Sequence, residues 1–247
     1  MNRINVNNIN YIIKNENDVI QNVLLQKKQW NDNILNIIIK FIKILKLKHF
    51  VNVGTHIGTM SLPISKHISK VSSIEAYPPT YKHLCQNIKL NNIKNINTYN
   101  LAVGNTNETI YFIGENSVCP IENKNRVKNN SGGMHVFTEN DIKNNIRSSV
   151  LCDKKYSAQM YKFDELQIDN FDIMLVDIEG YEWEFLHGAK NKIIKNKPII
   201  IIEIWNNNKR KSENMKTTSN QVIKYINNLG YKLIKTIEDD YIFEPIN

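Results

Sequence analysis

Cysteine is nearly absent from this 247-residue chain. Only Cys85, Cys119 and Cys152 occur, with no C-x-x-C pair, which argues against both a disulfide framework and a zinc site. No uncharged stretch is long enough to span a bilayer, and Met1-Asn2-Arg3-Ile4-Asn5 lacks the apolar core of a signal peptide. A soluble protein of the cytoplasm is therefore expected, with no membrane span and no metal. Acidic residues are also in deficit, 24 against 32 Lys and Arg, for a net charge of +8. That balance admits nucleic acid, a membrane surface or an anionic substrate as partners. Asn, Lys and Ile dominate, however, with Asn at roughly one residue in six, far above ordinary usage, so the basicity reads as the codon bias of an AT-rich genome.

The length suits a single well-buried core. Residues 1–48 are expected to supply helices packed on that core, over Asp18 to Trp30 and Asp32 to Lys48. In the second, Ile34, Leu35, Ile38, Phe41, Ile42 and Leu45 form an apolar stripe that should pack against a sheet. From His49 strand and helix patterns alternate: strands over His49–Val53, Val71–Ala76, Ile96–Val103, Phe171–Asp177 and Pro198–Glu203, with helices between them. This rhythm specifies parallel pairing through right-handed crossovers, and so a doubly wound, mostly parallel seven-stranded α/β sheet. Tyr231–Ile234 and Tyr241–Glu244, around the acidic Glu238-Asp239-Asp240, close it as an antiparallel hairpin. The polar stretch near 114–150 interrupts the pattern and reads as a lid-like insertion within a domain spanning 49–247.

Ligands of such sheets sit outside the carboxyl ends of the strands. Here the first end is Asn52-Val53-Gly54-Thr55-His56-Ile57-Gly58-Thr59, a glycine turn before a helix. The dinucleotide fingerprint would need glycine at positions 54, 56 and 59, but His56 and Thr59 break it, which disfavours a pyrophosphate. Glu75, ending the second apolar strand about 20 residues on, can accept from both hydroxyls of a ribose. Ala76 follows it, and Asn100-Leu101-Ala102-Val103 would border an adenine.

These segments, with Leu84-Cys85-Gln86-Asn87-Ile88-Lys89-Leu90-Asn91, Val176-Asp177-Ile178-Glu179-Gly180-Tyr181-Glu182 and Pro198 to Glu203, resemble in order the motifs of FkbM-type methyltransferases. The resemblance implies a class I methyltransferase fold and S-adenosylmethionine as cofactor, held by Asn52, Gly54, Thr55, His56, Gly58, Glu75, Ala76, Ala102 and Asp177. It also implies a hydroxyl acceptor, of a small molecule or carbohydrate. Two positions depart from the family pattern: Asn52 stands where aspartate is usual and Leu175 where lysine is usual.

Methyl transfer needs an aligned acceptor oxygen and a group to take its proton. Asp177, Glu179 and Glu203 are the candidate carboxylates, and His135 a further base. An RNA 2′-O-methyltransferase would suit the charge, but such enzymes resemble this chain in fold while using a lysine on the strand that here carries Glu203. A non-catalytic cofactor-binding module is the other alternative, and Asn52 is its only support.

Overall fold

The chain opens on a β-hairpin, β1 (Asn2–Val6) paired antiparallel with β2 (Ile9–Ile13), in the computed structural model, which describes residues 2–113, 136–144, 152–213 and 215–246. Helices alone were expected over 1–48, and the hairpin corrects this. Asn7 and Asn8 turn the chain at φ +49° and +64°, a left-handed conformation that asparagine tolerates and a two-residue hairpin turn requires. Alternate residues Val6, Ile9, Tyr11 and Ile13 then face inward. Two helices follow, α1 (Val19–Leu25) and α2 (Asp32–Leu45), both shorter than the sequence pattern suggests. Asp18 caps α1 by accepting from the Gln21 N–H, and Lys46 ends α2 in a left-handed conformation.

The alternation after His49 builds the main sheet. Its elements are β3 (His49–Val53), α3 (Ser61–Ser65), β4 (Lys70–Ile74), α4 (Pro78–Leu90) and β5 (Ile96–Tyr99). After an intervening sheet the chain returns to it with the elements β10 to β13, and the strand order is β12-β13-β11-β10-β3-β4-β5. The five strands from β11 to β5 are parallel, and the last two form the expected antiparallel hairpin.

The intervening sheet was not anticipated. β6 (Ala102–Gly104), β7 (Glu108–Ile113), β8 (Val136–Thr138) and β9 (Cys152–Lys162) form a separate four-stranded sheet in the order β6-β9-β7-β8, with α5 (Glu139–Lys143) after β8. The run Ile96–Val103, read as one strand, is therefore split between two sheets. The Asn100 side chain sits at the break and donates to the carbonyls of Glu75 and Ala76, at 2.9 and 3.1 Å. Of the lid-like insertion near 114–150 only residues 136–144 are described, so His135 lies outside the described residues.

The chain re-enters the main sheet through β10 (Ile173–Val176), α6 (Glu182–Gly188), α7 (Lys190–Asn196) and β11 (Ile199–Glu203). It finishes with α8 (Asn207–Ser212), α9 (Ser219–Asn228), β12 (Tyr231–Ile237) and β13 (Asp240–Pro245). Thr218 and Gln221 form a reciprocal capping box on α9. A Cβ on Gly188 would fall 1.7 Å from the Gly104 carbonyl oxygen, so α6 touches the second sheet backbone to backbone.

Both faces of the parallel strands are covered, which is why their sequences read as nearly unbroken apolar runs. Val51, Val53, Met174, Val176, Ile200 and Ile202 pack under α6, α7 and α9. Phe50, Ile173, Leu175, Ile199 and Ile201 pack under α2 and α3. Each fully buried side chain of this size contributes about 1.5 to 3 kcal/mol by leaving water. Among the described residues no helix is long and apolar enough to cross a membrane.

Candidate cofactor and active-site cleft

The carboxyl ends of β3, β4 and β10 lie side by side and open into one cleft. Its floor is Val53, Gly54, His56, Ile74, Glu75 and Asp177, and its space, open mouth included, is about 790 Å³. Leu101 and Ala102 wall it near β6, Phe112, Val136 and Met160 come from the second sheet, and Ile20 comes from α1. Mostly apolar walls with a few convergent polar groups are the make-up of a small-molecule site.

Gly54 is required by two independent facts. Its φ is +80°, and a Cβ there would lie 1.7 Å from the Asp177 carbonyl oxygen. The β3 turn and the β10 end therefore touch through their backbones, and Asp177 N–H also donates to the Val53 carbonyl at 3.0 Å. Thr55 and Gly58 shape this turn and do not line the cleft: the Thr55 hydroxyl donates to the Asn52 carbonyl at 3.0 Å, and Gly58 packs against Leu62 and Leu84.

Glu75 is held by the same turn. Its Oε2 accepts from the His56 N–H at 2.8 Å and its Oε1 from the Tyr77 N–H at 2.9 Å. Burial raises its carboxyl to about 7, although the two N–H groups pull the other way. Each oxygen keeps a lone pair, so the group can still accept two hydroxyls from the cleft. Ala76 and Ala102 line the cleft beside it.

Asn52 is placed differently from the expectation that it meets the methionine end of the cofactor. Strand pleating turns it to the α3 side of the sheet, where it is 1% exposed and donates to the Ser61 hydroxyl at 3.0 Å. It is outside the cleft lining, and its Oδ1 has no hydrogen-bond partner among the described residues. Leu175 is its direct neighbour in the β10–β3 register and shares that buried face. The two departures from the family pattern are thus one location: a position pair that would hold aspartate beside lysine holds Asn beside Leu.

At the other end of the cleft stand Asp177 and Glu179, both in its lining, with Glu179 at φ +53°. Glu203 is next to them through the strand register, since Val176 pairs with Ile202 and the acids follow, but it does not line the cleft. Its Oε2 accepts from the Trp205 indole N–H at 2.8 Å, and the Lys209 ammonium lies 3.7 Å over the Trp205 ring. Burial, then the charges of Glu203, Glu179, Asp240 and Glu182, hold the Asp177 carboxyl well above the usual range. Burial also raises Glu203, with Lys209 and the indole opposing.

Glu182 was not singled out from the sequence. It is fully buried on the first turn of α6, accepts from the Gly180 N–H at 2.7 Å and stands 3.7 Å from the buried Arg210, and burial raises it to about 7. This fixes the turn that carries Glu179. Tyr77, Phe112 and Met160 were missed as well. Their signal was the period-two burial of Ile110, Phe112, Ala158 and Met160, which marks strands facing the cleft.

A model of the FkbM methyltransferase domain matches residues 52–233, about three quarters of the sequence. The chain belongs to the FkbM methyltransferase family. Such a protein is an enzyme, and its methyl donor is S-adenosylmethionine. The donor fits the residues present: a carboxylate able to receive a ribose, apolar walls for an adenine, and a glycine turn without room for side chains. Among solved structures, a methyltransferase FkbM from Methylobacillus flagellatus KT is 14% identical with a TM-score of 0.49, covering 80% of this chain and 43% of its own. The chain thus spans less than half of that protein. A putative caffeoyl-CoA O-methyltransferase from Staphylococcus aureus is 13% identical (TM-score 0.49, 95% and 93% covered), and TYW2 from M. jannaschii in complex with AdoMet 15% identical (0.43, 99% and 86%). No curated protein sequence matches significantly.

Proposed function

We propose that this FkbM methyltransferase methylates a hydroxyl group of a sugar or glycan, in the cytoplasm. The observation that carries the reading is that Asp177, a carboxyl of raised proton affinity, opens into the same cleft as Glu75. Glu75 takes the two ribose hydroxyls and so fixes the cofactor along the cleft. The donor supplies an electrophilic methyl group on a sulfonium. When bound, the donor would supply that methyl group to the acceptor oxygen, and Asp177 would receive the hydroxyl proton. Glu179 and Glu203 keep Asp177 basic by their charge, and Glu179 is placed to accept a further hydroxyl of the acceptor.

The same acids argue for a neutral polyol over a nucleic acid. A phosphate backbone entering beside Asp177 and Glu179 would meet like charge, whatever the net charge of the whole chain. Alignment by Glu75, Ile20 and Phe112 and proton removal by Asp177 are separable contributions. Labelled S-adenosylmethionine with glycans, nucleotide sugars and capped RNA tests the acceptor class, and transfer to RNA alone would reject the sugar reading. On the acceptor so found, Asp177→Asn should lower turnover about a hundredfold, the scale of a lost general base, with affinity for S-adenosylhomocysteine kept.

A further inference from the structure

We propose that Asp18, in the N-terminal segment outside the family match, is a positioning residue of the cofactor cleft: it holds the His56 imidazole and, through it, the turn that supports Glu75. The proposal rests on the reading of Glu75 as the ribose acceptor.

The turn after β3 has three left-handed residues within five positions, Gly54 at φ +80°, His56 at +52° and Gly58 at +95°. Glycine adopts this conformation freely, whereas a residue with a Cβ does so only when its surroundings hold it there. His56 is the one of the three with a side chain, and it is 8% exposed. Its peptide N–H is the group that donates to Glu75 Oε2. The direction of its ring therefore bears directly on where the Glu75 carboxylate points.

The ring points at the N-terminal segment. His56 Nε2 lies 4.0 Å from Asp18 Oδ2, longer than a direct hydrogen bond; burial lowers the proton affinity of the imidazole and the Asp18 carboxylate opposes that shift. Asp18 is fully buried, and its other oxygen, Oδ1, accepts from the Gln21 N–H at 3.0 Å to cap α1. One carboxylate thus has two duties on two oxygens. His83 from α4, whose Nε2 meets the Ile12 carbonyl at 2.8 Å, interacts with both His56 and Asp18, and Lys14 after β2 acts on His83. The same segment sends Ile20 into the cleft wall, and its Val6, Ile9 and Tyr11 share a core with Ile57, Leu62 and Leu84 around the turn.

Asparagine caps a helix as well as aspartate does, so Asp18→Asn removes the charge and leaves the cap. The dissociation constant of S-adenosylhomocysteine should rise roughly tenfold, mid-range for partners in one network, with the thermal midpoint near wild type. Asp18→Ala should lose both. His56→Asn keeps a side chain that tolerates positive φ and should weaken binding as much as Asp18→Asn, while the double variant should be no weaker than either. Glu75→Gln reports on the underlying reading. If Glu75→Gln weakens binding while Asp18→Asn binds like wild type, or if the two losses add in the double variant, the positioning role is overturned and the cleft reading stands. If Asp18→Asn melts as early as Asp18→Ala, its charge is structural and the proposal also fails. Unchanged binding in Glu75→Gln would remove the cleft reading and the proposal with it.

Discussion

Binding of the cofactor should expel a proton from Glu75. Burial lifts this carboxyl from 4.5 to about 7, which amounts to about 3 kcal/mol against ionising it. Two ribose hydroxyls can only donate to the ionised group fully, so binding must drag its proton affinity down. The fraction already ionised climbs from about a tenth at about pH 6 to about nine tenths at about pH 8, and the dissociation constant of S-adenosylhomocysteine should fall about tenfold over that interval. The sign for stability is opposite. A carboxyl raised on folding favours the fold fully below 4.5, and that contribution is lost as pH rises through about 7. The unliganded protein should therefore soften across this window while the liganded one does not. Calorimetric titrations in two buffers of different ionisation heat would count the protons released, close to one at about pH 6 and close to none at about pH 8. Glu75→Gln should bind more weakly and with a flat pH profile. Release of no proton by the wild type, or the same slope in Glu75→Gln, would refute the reasoning and shift attention to Asp177 as the titrating group.

Gly54→Ala should be far more damaging than an ordinary glycine replacement, because its Cβ has no space beside the Asp177 carbonyl. A loss of about 3 kcal/mol or more by urea denaturation is expected, beyond the usual cost of a left-handed residue. Asn52→Asp should cost about 2 to 4 kcal/mol by placing an unpaired charge under α3, and Asn52→Asp with Leu175→Lys should recover part of that loss; a double variant less stable than the single would contradict the register argument. Asp177→Asn should remove the rising, low-pH limb of the turnover–pH profile while leaving cofactor affinity in place, and equal losses of both would make Asp177 a ligand of the cofactor instead.

The parallel core was legible because its local signals agree. Apolar runs such as Ile199 to Ile202 bury on both faces, and an acid at each strand end, Glu75, Asp177 and Glu203, has no other place to go. The opening hairpin carried its signal too, in the alternation of Val6, Ile9, Tyr11 and Ile13 around an Asn-Asn turn. Asparagine is so common in this chain that its turn chemistry was indistinguishable from filler. The second sheet is a different case: β7 finds its partner β9 about fifty residues later, as in Ile110 opposite Ala158, and no local pattern encodes that pairing. The cleft residues it carries, Phe112 and Met160, were hidden for the same reason. Asn52 was placed on the wrong side because a motif names a position in the chain, whereas the pleat decides which face of the sheet that position serves.

The contact between Gly104 and Gly188 fixes the spacing between two sheets that stand like two plates. One plate carries the Glu75 and Asp177 ends, and the other carries Phe112, Val136 and Met160 over them. Substitutions at Phe112 or Met160 would reshape the cleft where the upper plate packs on Ala76, Tyr77 and Ala102, beside Glu75. A side chain at Gly188 would instead push its Cβ onto the Gly104 carbonyl and force α6 and the second sheet apart. Redesign on β7 and β9 therefore acts first on the donor end beside Glu75, and Gly188 is the position to leave untouched.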